Sequence, residues 1–237
     1  MRTIMAALAC LGGCGRYGFV DRVDGNNDDA AAASDAADAE PDAAEVRCGS
    51  REVLAESFDD ATAGPFFMSF PAGGVPIVQT GSAVEFQLTN TASGEYGSYA
   101  SVSIPAGDAC VVLEVLDVPT PSLGGAAYIK LIGTQEQIEF YYRSGDVEAR
   151  YRVGGTLQNP VQFPWDPVET RYWRFVRIGA GTRWQTSADG VSYVDRLSQP
   201  SITVTGIFHL EFGAGANSPL VGDGGKARFG SALVLQN

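Results

Sequence analysis

From Cys48 onward the chain has a repeated rhythm, in which short runs rich in Val, Ile, Phe, Tyr and Trp are separated by clusters of Gly, Pro, Asn and Asp. β-Branched and aromatic residues favour strands, and the punctuating residues favour turns. Fourteen such runs can be marked, from EVLAESF through AVEFQLT, CVVLEVLDV and QIEFYYR to KARFGSALVLQ, and none has helical periodicity. In AVEFQLT, Val84, Phe86 and Leu88 fall on one face and Glu85, Gln87 and Thr89 on the other, as in a strand with one wet side. RYWRFVRI carries apolar residues on both faces and reads as a central strand. In TRWQTSADGVSYVD, Asp189-Gly190 is a two-residue type I′ turn signal that predicts a hairpin pairing Thr186 with Tyr193. The pattern predicts an all-β fold, a β-sandwich or jelly roll of two antiparallel sheets.

Three stretches carry a resemblance. LAESFDD, RYWRFVRIGAGTRWQTSADGVSY and FHLEFGAGAN with KARFGSALV together resemble the concanavalin A-like lectin/glucanase superfamily over roughly residues 51 to 237. That superfamily includes lectins, laminin G-like modules and glycanases, so the resemblance implies a jelly roll and a carbohydrate ligand class without fixing an activity. Relatives commonly place an acid after the phenylalanine of ARFGSALV. Gly230 stands there in this chain, so the resemblance supplies no calcium site at that point, and no metal or cofactor is expected.

The N-terminal segment differs in kind. Arg2 and the apolar run TIMAALACLGG form a positive and then a hydrophobic region too short to span a membrane, the pattern of an export signal. Leu11, Gly12, Gly13 and Cys14 resemble the lipobox of bacterial lipoproteins, which implies a signal peptide over 1–13 and lipidation of Cys14. By the same resemblance Gly15, in place of an aspartate, implies the outer membrane, with the domain on its periplasmic or cell-surface face. Alternatives are an ordinary secretory cleavage or an anchor at Cys10. Residues 14–46 are rich in Ala and Asp and poor in large apolar side chains, so they cannot repay the entropy of ordering and read as a tether. Residues 47–237 form the expected domain.

Charge excludes one class of partner. The 237-residue chain has a formal net charge of -12, and nine acids lie in the tether region, leaving nineteen acids and thirteen bases from residue 47 onward. No clustered basic stripe is visible in the sequence, which argues against nucleic acid. Cys48 and Cys110, an even pair in an exported chain, suggest a disulfide closing a loop of roughly 60 residues, with two free thiols as the alternative.

The residues that could carry chemistry are few. A retaining glycanase needs two carboxylates about 5 Å apart. In LEVLDVPT, Glu114 and Asp117 are three apart and point to opposite faces of a strand, with Pro119 where a further acid would be needed. His209 is the only histidine and supports no triad. The expectation is therefore a domain that is not an enzyme. Sugar binding uses aromatic rings on a wet face. Tyr141, Tyr142, Tyr151, Trp165, Trp173 and Trp184 are available, and Trp165, in the Pro-rich stretch NPVQFPWDPVE read as a loop, is the first candidate, with Tyr141, Tyr151 and Trp184 beside it. The sequence thus predicts a monomeric, lipid-anchored envelope protein that binds a polysaccharide or glycan. An adhesive module contacting another protein and a divergent glycoside hydrolase are the alternatives.

Overall fold

The computed structural model describes residues 48–59, 64–220, 222 and 224–237. The expected signal peptide, Cys14 and the tether lie outside the described residues. The described residues form one compact unit.

Fifteen strands and one 3-10 turn, Pro121–Leu123, make up the described fold. The strands are β1 (Arg51–Glu56), β2 (Phe67–Phe70), β3 (Ile77–Thr80), β4 (Ala83–Gln87), β5 (Glu95–Ser101), β6 (Ala109–Asp117), β7 (Gly125–Ile132), β8 (Glu136–Arg143), β9 (Asp146–Val153), β10 (Thr156–Pro164), β11 (Tyr172–Ile178), β12 (Gly181–Ser187), β13 (Val194–Gln199), β14 (His209–Ala216) and β15 (Lys226–Gln236). One sheet has the order β13-β12-β11-β6-β15-β4-β3, with β1 also on β15. The second has the order β10-β9-β8-β7-β14. The strand pair β2-β5 lies alongside β14, where the amide of Leu210 donates to Ser101 Oγ at 2.9 Å and that of Gly94 to the Ala216 carbonyl at 2.8 Å. All strand pairs are antiparallel, so the expected all-β sandwich of two antiparallel sheets is the fold.

The core lies between the sheets. From the first come Phe86, Leu113, Trp173, Phe175, Trp184 and Phe229, and from the second Ile129, Phe140, Tyr142 and Phe212, all buried. Phe140 stacks on Phe175 with ring centroids 5.1 Å apart, and Phe212 meets Phe229 edge-on at 5.0 Å. The indole N–H of Trp184 crosses the core to donate to the Glu139 carbonyl at 3.1 Å. As its pattern predicts, β11 is central, between β6 and β12.

A disulfide joins Cys48 to Cys110, with Cα atoms 5.4 Å apart, and ties the entry to β1 to the middle of the first sheet.

Two sequence expectations need correction. The segment around NPVQFP, read as a loop, is the edge strand β10, whose register on β9 shifts between Gln158 and Val161. Pro160 falls in that shift, where a residue without an N–H breaks no ladder bond. The Asp189-Gly190 hairpin does not have its expected register either: Thr186 pairs with Val194, and residues 188–193 form the connection. Gly190 has φ +74° while Asp189 does not take positive φ, so a type I′ turn is absent. Instead Asp189 Oδ1 accepts the amides of Val191 and Ser192, each at 2.8 Å, and Ser187 Oγ accepts that of Gly190 at 2.9 Å. Local side-chain bonds to the backbone have replaced the tight turn.

Candidate functional site

Strand alternation sends one face of the second sheet into the core and leaves the other to solvent. On that outer face β7 presents Tyr128 and Lys130, β8 presents Gln137, Glu139, Tyr141 and Arg143, and β9 presents Glu148, Arg150 and Arg152. Antiparallel register aligns these into cross-strand rows. One row runs Glu211, Lys130, Glu139, Arg150 over β14, β7, β8 and β9. The next runs Gly213, Tyr128, Tyr141, Glu148, Gln162 and extends to β10. The outcome is a mosaic of alternating charge beside a pair of tyrosines.

Glycine raises a wall on this face. A Cβ on Gly213 would lie 2.1 Å from the Gly97 carbonyl oxygen, and one on Gly215 would lie 2.2 Å from that of Glu95. Without side chains at these two positions, β5 approaches the β14 backbone closely and turns Tyr96 over the sheet. The Tyr96 ring lies 5.9 Å from that of Tyr128, and its hydroxyl is 3.1 Å from the Tyr141 hydroxyl, which also accepts from Asn217 Nδ2 at 3.2 Å. These residues enclose an open cleft of about 670 Å³.

Electrostatics organise its floor. Glu139, almost wholly buried, receives Arg150 Nη2 at 3.1 Å and Arg152 Nε at 3.1 Å, with Arg150 Nε 3.0 Å from Oε1. Arg150 also donates to Glu148 at 2.7 Å, and its guanidinium lies 3.8 Å above the Tyr141 ring. Gln162 Nε2 donates to the other Glu148 oxygen at 2.9 Å. Glu211 accepts the Tyr128 hydroxyl at 2.9 Å and has Lys130 Nζ at 3.8 Å, the same ammonium sitting 3.9 Å over the Tyr128 ring. Burial, reinforced by the neighbouring Glu211 carboxylate, pushes the Tyr128 phenol far above the usual range, so it serves as a donor. Burial likewise raises Tyr96, and burial lowers Lys130 despite the opposing pull of Glu211.

Of the four aromatics expected at a sugar site, the fold places only Tyr141 on this floor. Trp184 is buried in the core, Tyr151 packs against it at 6.1 Å, and Trp165 meets Trp173 at 5.9 Å and Tyr142 at 6.4 Å beneath the opposite face of the sheet. Trp165 stands just past β10 in the connection to β11, as the loop reading expected, but it is half-buried and packs against the core instead of facing a ligand. Sequence reasoning passed over Tyr96, Tyr128, Lys130 and the Glu–Arg lattice. The every-second-residue charges of β9, Glu148, Arg150 and Arg152, were the available signal, but the strand order that brings Glu211 and Glu139 into one row was not.

Another cleft, of about 710 Å³, borders β4 and β15 and is lined by Glu85, Gln87, Thr89, Asn90 and Lys226 among others. Among the described residues it has no aromatic platform, and its lysine is bonded to Glu85 at 3.0 Å. Elsewhere, Glu114 holds Arg171 at 2.6 Å and the Tyr172 hydroxyl at 3.2 Å, and its Oε2 would lie 2.3 Å from a Cβ at position 230. In this arrangement the Glu114 carboxylate occupies the space that a side chain at position 230 would enter.

No protein-family model matches the chain, and no curated protein matches it in sequence. Solved structures do resemble it. LamA from Z. galactanivorans, in complex with laminaritriose and laminaritetraose, matches with TM-score 0.59 at 9% identity over 79% of this chain and 100% of that one. A Bacillus licheniformis β-glucanase matches with TM-score 0.58 at 14% identity over 78% and 98%. SCLam, a non-specific endo-β-1,3(4)-glucanase from family GH16, matches with TM-score 0.59 at 8% identity over 81% and 93%. At these identities the likeness is one of fold, that of the concanavalin A-like jelly-roll glucanases. It corrects the expectation of a domain that is not an enzyme, since the fold is one that carries glucanases. The exclusion rested on Glu114 and Asp117 of β6, which belong to the other sheet; the cleft draws its carboxylates from β8, β9 and β14.

Proposed function

We propose that this chain is an envelope protein whose jelly-roll domain grips a polysaccharide in the cleft of the second sheet. The observation that carries this reading is the cleft itself, with tyrosines from three strands set among hydrogen-bonding side chains on an open face. Sugars offer both an apolar C–H face and a rim of hydroxyls, and such a surface meets both. Export and lipidation at Cys14 complete the proposal: the lipobox-like residues supply the anchor, and the Cys48–Cys110 bond supports an oxidising compartment.

One observation favours a second reading, glycoside hydrolysis. Glu211 and Glu139 stand in one cross-strand row two strands apart, roughly 9–10 Å between backbones. Inverting glycosidases hold their two carboxyl groups about 6.5–9.5 Å apart, leaving room for water. Of the two, Glu211 is partly exposed and within reach of a ligand, while Glu139 is buried beneath its arginines.

A panel of soluble polysaccharides, assayed for both binding and release of reducing ends, tests the two together. Retention without release supports the binding reading. Release that Glu211→Gln abolishes supports hydrolysis, and absence of both defeats the proposal. In the same preparations, Cys14→Ala is expected to block fatty-acid labelling, and labelling that persists would move the anchor elsewhere.

A further inference from the structure

We infer that the cleft is built for an acidic glycan, one bearing carboxylate or sulfate groups. The inference rests on the polysaccharide reading above and specifies its ligand class.

The cleft is donor-rich. Neutral sugars carry hydroxyls that both donate and accept, so a site for them gains from free acceptors. Here each of the three carboxylates is already engaged by protein donors: Glu139 by two arginines, Glu148 by Arg150 and Gln162, and Glu211 by Tyr128 and Lys130. Little acceptor capacity is left facing a ligand.

Donors remain in excess. Lys130, Arg143, Arg150 and Arg152 set four cations against those three carboxylates, in a region that otherwise has more acids than bases. Exposed Arg143 forms no ion pair among the described residues, so its five N–H donors are open to a ligand. Arg152 is one-third exposed; its Nε donates to Glu139 and Nη1 donates to the Gly155 carbonyl at 3.4 Å, so the rest of its fork stays open. The two stand at opposite ends of the cleft: Arg143 lies on β8, and Arg152 pairs with Gln137 of the same strand, six positions away. That offset is roughly 20 Å along the strand. A guanidinium at each end and tyrosines between them suit a chain with an anionic group at intervals. Planar guanidinium forks recognise carboxylate and sulfate oxygens in paired hydrogen bonds, whereas hydroxyls cannot use both prongs in this way.

The test is affinity electrophoresis and calorimetry of the full chain against polygalacturonate, dextran sulfate, laminarin and, as a non-sugar polyanion, poly-glutamate. Polygalacturonate or dextran sulfate should bind at least about tenfold more tightly than laminarin, and the advantage should shrink as NaCl rises from about 50 to about 500 mM. The stronger of the two identifies the anion. Arg143→Gln, an exposed position, should reduce that preference about fivefold or more with no change in melting temperature. The inference is overturned if laminarin binds as tightly, if poly-glutamate competes equally, or if Arg143→Gln leaves the preference intact. Failure of every polysaccharide to bind would instead defeat the underlying reading.

Discussion

Asp189 shows how one side chain sets a connection. Its carboxylate accepts the amides of Ser192 and Val191 and the hydroxyl of Ser187, and the two amides foremost hold its pKa at about 2 against an ordinary 3.8. A group whose pKa falls on folding contributes stability above its unfolded value and loses it as pH drops toward the folded value. The contribution should be complete above about pH 5 and lost progressively toward about pH 1, below both values. Asp189→Ala should therefore be less stable than the parent in urea melts at pH 7, and the gap should narrow steadily as the melts are repeated from about pH 5 down to about pH 2. A gap that stays constant would show that the carboxylate's charge plays no part. The sequence marked this place as a turn correctly, because Gly reaches positive φ freely and Asp bonds nearby backbone amides. It misjudged the type, because a tight hairpin and an Asp-bonded loop compete for the same residues.

At the scale of elements, the cleft depends on how closely β5 can approach β14. Gly215→Ala would place a methyl group about where the Glu95 carbonyl now sits and against the Tyr96 ring. The strand must shift outward, at a cost of about 1–3 kcal/mol by analogy with overpacked cores. Tyr96 should then leave Tyr141, so polysaccharide affinity should fall more than the melting temperature alone would imply. Equal glycan binding by a variant of lowered Tm would detach Tyr96 from the site. Strand content and face alternation were legible in the sequence, since a period of two shows in any single strand. Which strands become neighbours did not, and with it went the row of Glu211, Lys130, Glu139 and Arg150. β10 was missed for a related reason: it is an edge strand with a proline at its register shift, and such a strand loses its periodic signature, while Trp165 just beyond it packs on Tyr142 and Trp173, a contact that depends on strand order.

For the whole domain, the sandwich class was legible because turn residues recur at short intervals across the entire length, a pattern that few other architectures permit. The pairing of Cys48 with Cys110 was suggested by parity and compartment, and the fold supplies its mechanical sense. Cys110 sits mid-sheet, on a strand flanked by β11 and β15, while Cys48 precedes β1, which is held along the same β15. The bond spans a separation of 62 residues, a loop that includes β1 to β5, and these strands have two destinations: β1, β3 and β4 join the first sheet, while β2 and β5 lie beside the second. Closing a loop of that length removes unfolded-chain entropy worth about 4 kcal/mol. For a domain of this size that corresponds to roughly ten degrees in Tm. The Cys48→Ser/Cys110→Ser double variant should melt lower by about that amount, and wild-type protein held in reductant should fall to the same temperature. Were both to melt with the oxidised parent, the β1–β15 ladder would be sufficient by itself to hold the N-terminal strands.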